Sequence, residues 1–526
     1  MKLSFNILFP FLAFVLMSSV FSSCGGKTGN NAHTLPLPET ISPVRININT
    51  GVSYQTIDNF GASDAWSCQF TGQWAVAKRE QMADLLFSRE TDESGNPKGI
   101  GLSLWRFNLG AGSAGQAENS GIKDEWRRAE SFLKADGTYD WDRQKGQLWF
   151  ARAAEERGVE NLLLFANSPP VSMTRNGKAY SNSGTQSNLP EHRIGQFARF
   201  LANTASGLRK MGLTPTIISP VNEPQWDWTD GGQEGTCYTN SEIAGIVRAL
   251  DMELDKKGLD LKIDISEAGQ INYLFETGNK EGRGKQIAAF FGEGSPDYIG
   301  NLSHVSHTIS GHSYFTTSPA STLVKQREKL AGELQKYPGL KYWMSEYCIL
   351  GNNDGDIKGH GRDLGMPPAL YMARVIHHDL VIANASAWHW WLAISPYDYK
   401  DGLIYVDKNK TDGNIYPGKM LWTLGNYSRF IRPGYKRVHV ETGQDHEGLL
   451  VSAYRDPKSG KCVVVMVNTE EHGVLAQFSL DGRGWNPGYA YVTSEEENLN
   501  KTTGLVMGGG NVEIPGQSVV TFVHTN

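Results

Sequence analysis

The chain has 526 residues, of which 39% are hydrophobic, enough to bury a large core and long enough for one large domain with a smaller companion. A net charge of −6 and the lack of any lysine or arginine run exclude the basic stripe that phosphate-backbone binding needs, so nucleic acid is not an expected partner. Fourteen Trp and twenty Tyr suit an ordinary core and also the C–H faces of sugars, which tilts the expected ligand toward carbohydrate.

The chain opens on an export address. Lys2 supplies the positive end, Ile7 to Val20 is mostly apolar, and Phe21-Ser22-Ser23-Cys24 sets small residues before a cysteine. This resembles a bacterial lipoprotein signal over residues 1–24, cut before Cys24, which would then carry the lipid. An ordinary signal peptide is the alternative. Residues 25–40, rich in Gly and Asn, read as a flexible tether, and no other stretch is apolar enough to span a membrane. The expected location is the cell envelope, with the membrane touched through the lipid alone and the protein a monomer.

From residue 57 to 433 short apolar runs alternate with amphipathic helical stretches, the pattern of a parallel sheet wrapped in helices. Strands are expected near 57–62 and over 101–107, 161–167, 216–221, 262–266, 309–314, 342–346 and 387–392. Eight strands make a (β/α)8 barrel. Between them fall helices such as 142–157, stopped by Gly158, and 192–211, stopped by Gly212. Beyond residue 434 only strand-and-turn patterns remain, at 449–454, 462–468, 475–480, 489–492 and 518–523, which fits a β-sandwich. Residues 41–56 contain one more strand, Val44 to Ile48, that could join it, making the side domain discontinuous. Cys68, Cys237, Cys348 and Cys462 lack metal spacing, and Cys68 with Cys237 is the favoured pair should a disulfide form.

In such barrels the active site lies at the C-terminal ends of the strands. Two of those ends carry a glutamate: Ser219-Pro220-Val221-Asn222-Glu223-Pro224 and Tyr342-Trp343-Met344-Ser345-Glu346-Tyr347. Glycoside hydrolysis needs two such carboxyls, one protonated to serve the leaving oxygen and one ionised to attack the anomeric carbon. Glu267, in Ile265-Ser266-Glu267-Ala268, also ends a strand and is the chief competitor, read here as a supporting or substrate-contact group. His304, His307 and His312 straddle a loop and a strand without the helical spacing of a zinc site, and Asn352 to Asp363 lacks the closing glutamate of a calcium loop. No metal and no cofactor are therefore expected.

Asn222-Glu223-Pro224 and Ser345-Glu346 resemble the fourth- and seventh-strand signatures of glycosidase clan A, and further motifs resemble glycoside hydrolase family 30. These are Asn59-Phe60-Gly61-Ala62-Ser63-Asp64-Ala65, Ser168-Pro169-Pro170 with Met173, His312-Ser313-Tyr314, Trp388-His389-Trp390, and the junction Tyr427-Ser428-Arg429-Phe430-Ile431-Arg432-Pro433-Gly434. The resemblance implies a retaining β-glycosidase with Glu223 as acid/base and Glu346 as nucleophile. It further implies that Asn222 holds the sugar 2-hydroxyl, that Tyr314 and Arg106 serve the nucleophile, and that Asp64, His312 and Trp390 line the subsite before the scissile bond; Asn167 is a further candidate substrate contact. Asp64-Ala65-Trp66-Ser67-Cys68-Gln69 and the insertion 226–238 look most like the bacterial endo-β-1,6-galactanase branch, which implies β-1,6-galactan side chains of arabinogalactan as substrate. Alternatives are a β-1,6-glucanase, a xylanase, or a glycan-binding lipoprotein without catalysis.

Overall fold

The computed structural model describes residues 42–443, 448–507 and 510–524. The expected lipoprotein signal, Cys24 and the expected tether lie outside the described residues. Among those described, no helix is long and apolar enough to cross a membrane.

After β1 (Val44–Thr56), eight strands form the barrel: β2 (Asn59–Ser63), β3 (Leu104–Asn108), β4 (Asn161–Phe165), β5 (Pro215–Ser219), β6 (Lys262–Ile263), β7 (Thr308–His312), β8 (Lys341–Tyr347) and β9 (Ala385–Ser395). Neighbours pair in parallel from β2 through β6, and again from β7 through β9 and back to β2. Between β6 and β7 the ring closes through Ser310 N–H to Ile265 O at 2.6 Å and His312 N–H to Ala268 O at 2.8 Å. These strands are buried on both faces, so they read as mostly apolar runs without polar alternation. β6 is shorter than the expected 262–266 because the backbone leaves the ladder after Ile263, bringing Glu267 to a left-handed φ of 51°.

The helices follow their capping chemistry. Thr239 and Glu242 form a reciprocal capping box at the start of Asn240–Lys257, and Gly258 ends that helix at φ 58°. A hairpin of β10 (Gly402–Val406) and β11 (Ile415–Pro417) extends the sheet beyond β9; sequence periodicity gave no sign of it.

The remaining strands are β12 (Lys436–Thr442), β13 (Leu449–Arg455), β14 (Cys462–Asn468), β15 (Val474–Leu480), β16 (Arg483–Trp485), β17 (Ala490–Thr493), β18 (Asn498–Thr502), β19 (Asn511–Ile514) and β20 (Ser518–His524). β1 enters this sheet between β12 and β15. The sheet folds over on itself, so Phe478 of β15 meets Phe522 of β20 at 5.1 Å between ring centroids and one core is enclosed. β14 serves two cores by alternation: Cys462, Val464 and Met466 face the side-domain core, while Val463, Val465 and Val467 pack against the barrel.

Cys68 and Cys237 are not bridged; both are free thiols, and both are buried. Cys68 starts a short helix pressed onto Lys145–Glu156, where a side chain on Gly72 would fall 2.1 Å from Gly146 O. The Cys237 thiol instead points to the carbonyls of Gln186 (3.4 Å) and Ser183 (3.7 Å), so the two sulfurs have separate surroundings.

Candidate active site

The C-terminal ends of the barrel strands bring Arg106, Glu223, Glu267, His312, Tyr314 and Glu346 into one hydrogen-bonded cluster. Arg106, fully buried on β3, donates to Glu346 at 2.9 Å and to Glu267 at 3.0 Å. Tyr314 donates to the other oxygen of Glu346 at 3.0 Å. His312 lies between Glu223 and Glu267, with each ring nitrogen 2.9 Å from a carboxylate oxygen. Oxygens of Glu223 and Glu346 stand within 4.8 Å of each other.

Backbone geometry aims these groups. Glu223 adopts a φ of 43°, and its N–H donates to Glu267 O at 2.8 Å, tying the end of β5 to the end of β6. The Ser310 hydroxyl in turn accepts from Glu267 N–H at 3.0 Å. Left-handed backbone is costly for glutamate, and here it turns the carboxyls inward.

The electrostatics separate the acids by role. Burial raises the pKa of Glu223 above the ordinary carboxylate range; the bond from His312 lowers it in part, and the charge of Glu346 raises it further. Burial pushes Glu267 the same way, but Arg106, His312 and Ser345 reverse this and hold it at about 2. His312 is depressed by burial, yet the charge of Glu346 and the bonds to Glu223 and Glu267 lift it to about 10. Glu223, His312 and Glu346 could also be taken for a metal triad. However, each ring nitrogen of His312 already lies 2.9 Å from a carboxylate oxygen, one of Glu223 and one of Glu267, so a metal would have to displace one of these contacts.

The cleft above the cluster has a volume of about 830 Å³ and is lined by Glu223, Glu346 and Tyr314, with Trp66, Arg127, Trp226, Phe315, Trp391 and Asp401 around them. Several residues expected on its surface stand behind it. His312 is fully buried beneath the glutamates, and Asp64, 1% exposed, accepts from Asn108 N–H at 2.8 Å and Gln147 at 3.1 Å. Burial raises Asp64 to about 7 against those bonds. Trp390 faces away, donating to Asp401 O at 2.7 Å, and Trp391 lines the cleft in its place, since adjacent residues on a strand point to opposite sides. Asn167 and Asn222 are almost fully buried, and their carbonyl oxygens have no partner. Such atoms are normally satisfied, so these two suit incoming hydroxyls. Glu267 has no exposed surface and supports the cluster without facing the cleft.

Sequence reading missed Arg127, Tyr397, Asp401 and Phe315. The Arg127 guanidinium lies between the rings of Trp66 (5.2 Å) and Tyr397 (5.1 Å), three residues from distant loops that share no local pattern.

A family model described as "O-Glycosyl hydrolase family 30" matches residues 43–405. The chain belongs to this family. The family 30 enzyme is therefore an O-glycosyl hydrolase. It is similar to a solved structure described as a conserved exported protein from Bacteroides fragilis, at 35% identity and a TM-score of 0.83, over 91% of this chain and all of that one. The glucuronoxylanase XynC of Bacillus subtilis is 26% identical over 71% of this chain and 76% of its own length. An endo-β-1,6-galactanase of Hypocrea rufa is 23% identical over 81% of this chain and 82% of its own.

Proposed function

We propose that the family 30 enzyme is a retaining glycosidase acting on β-1,6-galactan side chains, with Glu346 as nucleophile and Glu223 as acid/base. One observation carries this reading: oxygens of the two carboxyls lie within 4.8 Å across the cleft floor. Retaining enzymes hold their carboxyls about 5–5.5 Å apart, whereas inverting ones leave about 6.5–9.5 Å for a water. In the first step Glu346 bonds to the anomeric carbon while the bond to the leaving oxygen breaks and that oxygen takes the proton of Glu223. In the second step Glu223 recovers a proton from water, whose oxygen bonds to the anomeric carbon and frees Glu346.

The electrostatics support the same division of labour. Glu223 is the acid whose pKa is raised, and Glu346 receives only donors, Arg106 and Tyr314. The unpartnered carbonyls of Asn222 and Asn167 would accept hydroxyls of the sugar over Glu346, with Asn222 taking the 2-hydroxyl. The galactan assignment draws on the relation to the Hypocrea rufa enzyme, and the relation to XynC keeps xylan as the second reading. Likeness to a solved structure described as a conserved exported protein of Bacteroides fragilis supports export, and the lipid anchor is proposed on the signal-like run ending at Cys24.

The test is azide rescue with an activated aryl β-glycoside. Glu223→Ala should stall at the glycosyl-enzyme, and azide should release a β-glycosyl azide; azide on Glu346→Ala should give the α-product. Rescue with the opposite stereochemistry would reverse the roles. A panel of β-1,6-galactan, β-1,6-glucan and glucuronoxylan decides the substrate, and fastest cleavage of either alternative would overturn the galactan assignment.

A further inference from the structure

Phe315 is the most exposed large aromatic side chain among the described residues, with 51% of its surface open to solvent. It lines the cleft and sits at a left-handed φ of 56°, immediately after Tyr314, which bonds to Glu346. Leaving a bulky aromatic both open to water and on strained backbone costs stability twice, a pattern that points to function. Its ring does not float free. One edge rests over Gly351, where an added side-chain carbon would lie 3.3 Å from it. Trp226 meets it edge-to-face at 6.0 Å and 84°. Trp226 in turn seats on Gly269, where an added carbon would fall 2.7 Å from the indole nitrogen. Two aromatic rings braced against each other thus form an apolar wall in the cleft that Glu223 also lines.

Other parts of the cleft lining differ in chemistry. Asp401 carries a buried oxygen without a partner, and Arg127 is clamped between two rings. Directional groups of that kind hold one sugar in one orientation. An aromatic face accepts the C–H face of any pyranose and tolerates sliding. Glu223 must hand its proton to the oxygen of the departing sugar, so that sugar has to lie beside Glu223 and its neighbour Trp226.

We propose that Phe315, braced by Trp226, is the stacking platform for the first leaving-group sugar. This rests on Glu223 being the acid/base. The ligand is a neutral pyranose of the glycan on the departing side of the bond, recognised by its apolar face.

The experiment compares two substrates of one sugar: an oligosaccharide of the glycan that the wild-type enzyme cleaves fastest, and the matching β-glycosyl fluoride, whose leaving group has no ring. Phe315→Ala should lower kcat/KM on the oligosaccharide relative to the fluoride by about tenfold, the size expected for losing one stacking face. Phe315→Trp should restore most of that ratio. An unchanged ratio, whether both substrates suffer equally or neither does, overturns the platform. Wild-type failure on every β-glycan overturns the functional reading and the platform with it, whereas normal wild-type turnover with an unchanged ratio overturns the platform alone.

Discussion

Glu267→Gln separates support from chemistry. Glu267 accepts from Arg106 at 3.0 Å, from His312 at 2.9 Å and from the Ser345 hydroxyl, all fully buried. Glutamine keeps the shape, removes the charge and turns an amide donor toward Arg106 or His312. Breaking a buried ion pair by removing one partner costs about 3–5 kcal/mol, a large share of the roughly 5–15 kcal/mol that holds a domain folded. Urea denaturation of both proteins measures this as a lower midpoint at unchanged slope. The pH dependence carries a sign. The folded pKa of Glu267 is depressed from 4.5 to about 2, so its stabilisation is complete above the unfolded value and fades as pH falls toward 2. The gap between wild type and variant should therefore be widest near neutrality and close in acid. Azide should not restore the activity of the variant, because Glu267 does not reach the cleft. A variant as stable as wild type at pH 7, or one rescued by azide, would refute this reasoning and return Glu267 to contention as a catalytic group.

Other outcomes follow from the same geometry. Because the pKa of Glu223 is raised, the alkaline limb of kcat/KM on unactivated glycan should lie above the ordinary carboxylate value of about 4.3, with activity falling as pH rises through it. A dinitrophenyl glycoside, which needs little protonation, should lose that limb in the first step; its persistence would assign the limb to another group. Chelator should leave turnover unchanged, and loss restored by zinc or calcium would revive the triad of Glu223, His312 and Glu346 as a metal site. Cys24→Ser should release the protein from membranes or block its processing, and a wild-type protein found free of membranes would remove the anchor.

Much of the architecture is legible in the sequence because burial on both faces forces mostly apolar runs, and eight of them recur between amphipathic helices. The two glutamates are legible for the same reason: Glu346 near the end of β8 and Glu223 just beyond β5 follow apolar runs, where a charge needs a use. β14 could be placed to the residue, since Cys462 to Asn468 is a nearly continuous apolar run, buried on both faces. β12, β16, β18 and β19 were not foreseen: their short or half-exposed runs become strands by pairing with distant partners, as Lys436–Thr442 does with β1.

The amino-acid sequence by itself determined the barrel, the side domain and which carboxyls stand at its mouth, because these depend on local periodicity and on residue types at strand ends. Only the tertiary structure decided how those groups are charged and which of them face the substrate. The ionisation of Glu223 depends on His312 and Glu346, that of Glu267 on Arg106 and His312, and no local pattern encodes such distances. The resemblance pointed to Trp390, but the bond from Trp390 to Asp401 turns it away and leaves Trp391 lining the cleft. A side chain's neighbours across the barrel lie a hundred or more residues away, and charge and orientation are set by those neighbours.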